Sequence, residues 1–273
     1  MSGPTLPAHA RLPINRCNLP SVILGGLTFQ RHPVPLAIDG VRELHAALFA
    51  QMDGSEDAAE RADRFTRHMK AHFLLDHPEE AGFDDAQAHR PERNRSRADY
   101  RRLLRGWSFD PDGREAAVLK GWVESRFGLL TQHHGGLLDA AESRRRFDLA
   151  RAAGLYNTNA LEAQLDLLYT WCQYELELRH APATHLTLYR GSNRIEAHES
   201  LDRPDGARRV LLLNNLNSFT CQRERADEFG DYVMQAEIPL ARIVFFTNLL
   251  PGLLRGEGEY AVLGGVCEVR VLG

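Results

Sequence analysis

Residues 181–191 read Ala-Pro-Ala-Thr-His-Leu-Thr-Leu-Tyr-Arg-Gly, and the texture of the chain changes across them. Upstream, Leu161, Leu165, Leu168, Trp171, Cys172 and Leu176 recur at helical intervals and make one apolar stripe. Asn157-Thr158-Asn159 offers an N-cap, with Glu162 placed to support the first turn, so a long helix is predicted to run to about His180. Downstream, apolar runs at 186–190, 210–213, 232–238, 243–246, 259–263 and 266–271 predict strands, interrupted by one helix around 223–229.

Further toward the N-terminus the helical rhythm persists. Val41, Leu44 and Leu48, then Phe65, Met69 and Phe73, recur at three- and four-residue spacing, and more helix is expected over 118–127 and 137–149. Residues 1–40 hold Pro4, Pro7, Pro13, Pro20, Pro33 and Pro35, which predicts an irregular arm lying on the body. The expected organisation is an arm over 1–40, a helical region over 41–180 and a strand-rich core over 181–273. Helices first and strands afterwards make an α+β fold, because parallel α/β folds alternate their elements throughout.

At 273 residues the chain is long enough to bury a catalytic cleft in a core that carries an extension. With 43% hydrophobic and 26% charged residues it is neither disordered nor fibrous. A formal net charge of −4 argues against a dedicated nucleic-acid binder. Cys17, Cys172, Cys221 and Cys267 have no metal-ligand spacing, and the longest apolar stretch, 243–254, is broken by Thr247, Asn248 and Pro251. A cytoplasmic chain with reduced thiols and no membrane span is expected. Seven arginines between His89 and Arg105 read first as a solvated helix face and second as a partner-binding patch.

The usual catalytic signatures are missing: no G-x-S-x-G elbow, no P-loop, no G-x-G-x-x-G after a strand. His68 and His72 have a zinc-like i, i+4 spacing with His77 beyond, yet the glutamate of H-E-x-x-H is absent and no fourth ligand suggests itself, so no metal is expected. His133-His134 before Gly135-Gly136 is most simply a loop.

Three polar elements punctuate the strands: Leu188-Tyr189-Arg190-Gly191-Ser192, Asn217-Ser218-Phe219-Thr220 and Glu257-Gly258-Glu259-Tyr260. Each has a bland reading. An arginine at a strand end is usually a solvated charge, Ser-x-Thr before a helix is usually an N-cap, and paired glutamates are usually edge charges. The functional readings are a guanidinium fork for phosphate, a glycine admitting a ligand to the backbone, and two carboxylates in one cleft. If residues 257–259 are extended, Glu257 and Glu259 point to one side roughly 6–7 Å apart. That suits a reaction through an oxocarbenium-like centre, one carboxylate steadying the sugar cation and the other handling the proton of the nucleophile.

Taken in order, Arg190, Ser218 and Glu257-x-Glu259 resemble the Arg, Ser-Thr-Ser and Glu-x-Glu signature of mono-ADP-ribosyltransferases of the arginine-modifying toxin type. The flanks agree: Leu-Tyr-Arg-Gly resembles that family's first core strand, and Glu-Gly-Glu-Tyr-Ala-Val-Leu its carboxylate loop. The likeness covers about the last 95 residues. One departure is Ser218-Phe219-Thr220 where the family commonly has Ser-Thr-Ser. The segment Leu-Pro-Ile-Asn-Arg-Cys-Asn-Leu-Pro and the His-His-Gly-Gly-Leu-Leu stretch resemble the cytosolic bacterial branch that acts on dinitrogenase reductase.

The resemblance implies a core holding NAD, as substrate, in a cleft between small sheets. It implies that Arg190, Gly191, Ser218 and Thr220 bind NAD, that Ser218 orients Glu259, that Glu259 is the principal catalytic residue, and that Glu257 receives the acceptor. A glutamine at the first position accompanies other acceptors in this family, so Glu257 implies arginine. It further implies dinitrogenase reductase as protein substrate, with nitrogen fixation switched off. A PII nitrogen-signalling protein is implied as regulator, the helical region recognising both partners. Phe229 or Tyr232 is a candidate to stack on nicotinamide, and the spacing does not choose between them and ordinary core packing. Rival readings are an NAD glycohydrolase with water as acceptor and a non-catalytic nucleotide-binding interaction protein.

Overall fold

A computed structural model describes residues 3–76, 98–134, 136–138, 140–156, 158–253 and 258–272. Helices dominate up to His180: α1 (Ser21–Leu24), α2 (Leu27–Arg31), α3 (Val41–Leu44), α4 (Ala46–Asp53), α5 (Ala58–His72), α6 (Tyr100–Phe109), α7 (Arg114–Phe127), α8 (Ala141–Leu155) and α9 (Ala160–His180). A two-residue ribbon, β1 (Gln132–His133) with β2 (Gly136–Leu137), interrupts them, so His133 lies in a strand rather than in a plain loop. Then come β3 (His185–Ser192), β4 (Glu199–Asp202), β5 (Arg208–Thr220), α10 (Arg223–Asp227), β6 (Tyr232–Pro239), β7 (Ile243–Phe246) and β8 (Glu259–Leu272). The helices-then-strands order is that of an α+β protein.

The strands form one connected antiparallel sheet, in the order β4-β5-β3-β6-β8-β7 with β5 also paired to β8, instead of the separate small sheets expected. Long strands that bend are the reason. The runs 259–263 and 266–271 are a single strand, β8, that turns at Gly264-Gly265, while β5 shifts register opposite, between Leu213 and Leu216. A Cβ on Gly264 would stand 1.7 Å from the Asn214 carbonyl oxygen, and Gly265 has φ +95°, so only glycines permit this crossing. Beyond the bend, β5 continues to Thr220, which carries the Ser-x-Thr motif into the sheet.

The N-terminal segment is less irregular than its prolines suggest. Leu6, Leu24, Leu27 and Phe29 are buried in the same hydrophobic cluster as both the helices and the sheet. Polar anchors fix the arm: Gln30 donates to the carbonyls of Glu237 and Glu268 and accepts from the Glu268 amide. Arg242, 1% exposed, donates to the carbonyls of Leu24, Gly26 and Val266, and burial pushes its pKa down to about 10.

In the helical half the apolar stripe of α9 is buried as expected, with Phe65 of α5 stacked on Trp171 at 3.9 Å between centroids. The start of α9 differs from expectation. The Thr158 hydroxyl accepts from the Ala160 amide, whereas Glu162 turns away to ion-pair with Arg126 and Arg151, where two cations outbid one backbone amide. Among the described residues, no helix is long and apolar enough to cross a membrane. Of the arginine-rich segment only residues 98–105 are described. Arg101 pairs with Asp99 and Arg102 with Glu115, so these two are committed within the fold.

Candidate active site

β3 and β5 meet where Tyr189 pairs with Thr220, and β5 and β8 meet where Ser218 pairs with Ala261 and Thr220 with Glu259. This register gathers three of the residues singled out by sequence. Arg190 Nη1 donates to the Ser218 carbonyl at 2.8 Å, and Ser218 Oγ donates to Glu259 Oε1 at 2.8 Å. The Glu259 backbone amide donates to Thr247 Oγ1, which fixes the strand at the carboxylate.

Because side chains alternate along a strand, Ser218 and Thr220 share one face and Phe219 takes the other. Phe219 is 2% exposed and pairs across the strands with Tyr260, which stacks on Phe246. The departure from Ser-Thr-Ser is therefore a matter of core packing behind the site. Ser218 is not an N-cap: α10 is preceded by Gln222, whose amide donates to Thr220 Oγ1 at 3.2 Å. Thr220 is thus engaged at the turn into α10.

Gly191 has a demanding neighbour. A Cβ there would lie 2.2 Å from the Ala226 carbonyl oxygen of α10, so packing alone requires glycine at this position. Glu257 lies outside the described residues. Its neighbour Gly258 has φ +74°, left-handed rather than extended. The left-handed turn instead lets the Gly258 carbonyl accept from the Cys221 amide. Phe229 and Tyr232 are both exposed, at 62% and 40%, with the Arg225 guanidinium over the Phe229 ring.

Sequence reasoning missed two residues of α6, one that reaches Ser218 and one that reaches the Glu259 carboxylate. Trp107 Nε1 donates to Ser218 Oγ at 3.1 Å, and Ser108 Oγ donates to Glu259 Oε2 at 2.9 Å. Ser218 is therefore bracketed by a donor and an acceptor, and both oxygens of Glu259 are occupied. Gly106 makes the approach possible: a Cβ there would collide with Glu115 of α7 at 2.4 Å, so the two helices nest closely. Nothing in the local pattern of 100–109 marks those residues as catalytic neighbours, since the contact spans more than 100 residues.

Electrostatically the site is cationic beneath the carboxylate. Arg190 Nε is buried without a hydrogen-bond partner, a donor that an anionic group would satisfy. Burial lowers the Arg190 pKa, and burial followed by the Arg190 charge lowers that of His198. Lys120, 2% exposed, pairs with Asp112 at 2.8 Å, and burial pulls its pKa down. An unspent guanidinium donor near a hydroxyl-braced carboxylate fits a ligand with an anionic group and a sugar hydroxyl, as NAD has.

An arginine, a serine and a glutamate are joined in sequence across three antiparallel strands, in the order that the resemblance to mono-ADP-ribosyltransferases implies. The family model for dinitrogenase reductase ADP-ribosyltransferase (DRAT) matches residues 14–271, and the chain belongs to that family. It is 38% identical over 259 residues to the NAD(+)--dinitrogen-reductase ADP-D-ribosyltransferase of Rhodospirillum rubrum, covering 92% of this chain and 91% of that protein. No solved structure matches.

Proposed function

We propose that Arg190, Ser218 and Glu259 are the working residues with which this chain transfers ADP-ribose from NAD to an arginine of dinitrogenase reductase. The observation that carries the assignment is the Ser218–Glu259 hydrogen bond of 2.8 Å beside the Arg190 fork. Family membership and the match to the Rhodospirillum rubrum enzyme support the reaction and both substrates.

In this reading the Arg190 guanidinium receives the phosphates of NAD through its unpartnered Nε. Glu259 accepts a hydroxyl of the nicotinamide ribose and stabilises positive charge on the sugar as the nicotinamide bond lengthens. Ser218, fixed by Trp107, holds that carboxylate to one orientation. Glu257 receives the acceptor. A guanidinium has a pKa above about 12 and is fully protonated at neutral pH, hence a poor nucleophile, so a second carboxylate must orient it and take its proton. We place recognition of dinitrogenase reductase and of a PII-type regulator on the helical half, which already touches the catalytic carboxylate through α6.

The test is incubation with labelled NAD and dinitrogenase reductase. Wild-type chain labels the target on a gel. Glu257→Gln is expected to lose labelling while slow NAD hydrolysis continues; equal loss of both activities removes Glu257 from the acceptor role. Hydrolysis with no labelling by wild-type chain, with the PII-type regulator present, makes the protein a glycohydrolase. Neither activity makes it a binding protein.

A further inference from the structure

Three imidazoles converge in the helical half, far along the chain from the residues assigned above. His45 sits at the junction of α3 and α4, where φ −107° and ψ 24° break the helix, and is 5% exposed. α5 presents His68 and His72, one turn apart, on the face turned toward that junction. One ring nitrogen from each of the three lies within 4.8 Å of the others, and His45 Nδ1 and His68 Nε2 are 3.0 Å apart. His68 and His72 stack nearly parallel at 5.4 Å, and His45 meets His72 edge-on at 4.8 Å.

A hydrogen bond between two imidazoles accounts for the first pair but not for the third ring closing over it. Around a tetrahedral ion with metal–nitrogen bonds of about 2.0–2.1 Å, ligand nitrogens stand about 3.3 Å apart. The cluster is within side-chain adjustment of that spacing. We propose that His45, His68 and His72 form a binding site for a divalent transition-metal ion of the zinc type, with a fourth position left to water on the exposed His72 side. The donor set chooses the ion class: three imidazoles, with no carboxylate among the described residues of the cluster, suit Zn²⁺, Co²⁺, Ni²⁺ or Cu²⁺ and discriminate against Mg²⁺ and Ca²⁺.

The sequence shows only half of this site. His68 and His72 have the right spacing on one helix, but the third ligand stands 23 residues before His68 and is delivered by the α3–α4 turn. An ion held there would pin that turn to α5, and binding to the native state alone raises its thermal stability.

The experiment uses the untagged full-length chain, stripped with a chelator and titrated with Co²⁺ while visible absorption is recorded. One equivalent is expected to saturate the d–d bands of a low-coordinate cobalt site, Zn²⁺ to bleach them, and a large excess of Mg²⁺ to leave them unchanged. Zn²⁺ is expected to raise the melting temperature. Because His45 is buried and its replacement can disturb folding, the deciding variants are His68→Ala and His72→Ala, checked by circular dichroism. Each is expected to weaken Co²⁺ binding at least tenfold and to abolish the Zn²⁺-dependent rise in melting temperature. Octahedral Co²⁺ spectra without saturation, or binding equal to wild type in both folded variants, overturns the site. ADP-ribosyl transfer is not read in any arm, so failure here leaves the catalytic assignment standing.

Discussion

The sheet half and the helical half both reach Glu259, by different physical means. In the sheet, Ser218 and Glu259 are neighbours because β5 and β8 keep one register through the five pairs from Leu216–Leu263 to Thr220–Glu259. In the helical half, Trp107 and Ser108 arrive because Gly106 lets α6 nest against α7. Buried charge follows the same division. Arg242, just before β7, donates to backbone carbonyls, whereas Arg61 in the helices is paired with Glu175, itself shared with Arg179. Backbone ladders hold a site rigidly; side-chain contacts hold one that can be shifted without unfolding. On the proposed assignment the chemistry lies on the half held by backbone ladders.

The largest expected effect tests the helical side alone. Glu175→Leu leaves Arg61, 4% exposed, without its carboxylate, and breaking such a buried pair costs about 3–5 kcal/mol. Thermal unfolding followed by circular dichroism is expected to show that loss. A variant as stable as wild type means the helices are not held by this pair.

Next comes the sheet. Glu259→Gln keeps the shape of the side chain and its contact with Ser218 but removes the charge that steadies the sugar cation. Target labelling and NAD hydrolysis are both expected to fall by roughly 10²–10³-fold, the usual scale for losing one electrostatic stabiliser. The melting temperature is expected to stay near that of wild type. Retention of either activity would move the chemistry to another carboxylate.

Trp107→Phe sharpens the comparison, since it keeps an aromatic ring on α6 and removes the Nε1–H that donates to Ser218 Oγ. The lost hydrogen bond is worth about 1 kcal/mol, or some fivefold in kcat with KM for NAD unchanged. A rise in KM with kcat intact would assign Trp107 to ligand contact instead of to positioning Ser218.

How much of this was legible follows the same line. The boundary after Ala181-Pro182 and the helix ending at His180 were readable because helical and strand periodicities differ locally. Arg190 and Glu259 fall in runs readable as strands, whereas Ser218 was singled out with them by the family resemblance and its place in β5 was not read, since the expected strand ended at Leu213. Two things escaped. The continuity of β8 through Gly264-Gly265 was hidden because paired glycines ordinarily end a strand, and here they serve a crossing with Asn214. The contacts of Trp107, Ser108 and His45 arise only when distant helices pack, and no spacing rule along one helix encodes a partner on another element.

The smallest effect tests which way α6 acts. Ser108 occupies Glu259 Oε2, the oxygen left free by Ser218 and so the one a ribose hydroxyl must approach. Ser108 is exposed, so water replaces its hydroxyl at little cost when it is removed. Ser108→Ala is therefore expected to change the kinetics by only about two- to threefold, as a lower KM for NAD with kcat retained, because the sugar hydroxyl then displaces a mobile water in place of a tethered side chain. Steady-state NAD hydrolysis measures both constants. A fall in kcat at constant KM would mean that Ser108 aligns the carboxylate as Ser218 does, and the helical half would then be part of the catalytic scaffold instead of a competitor resting on it.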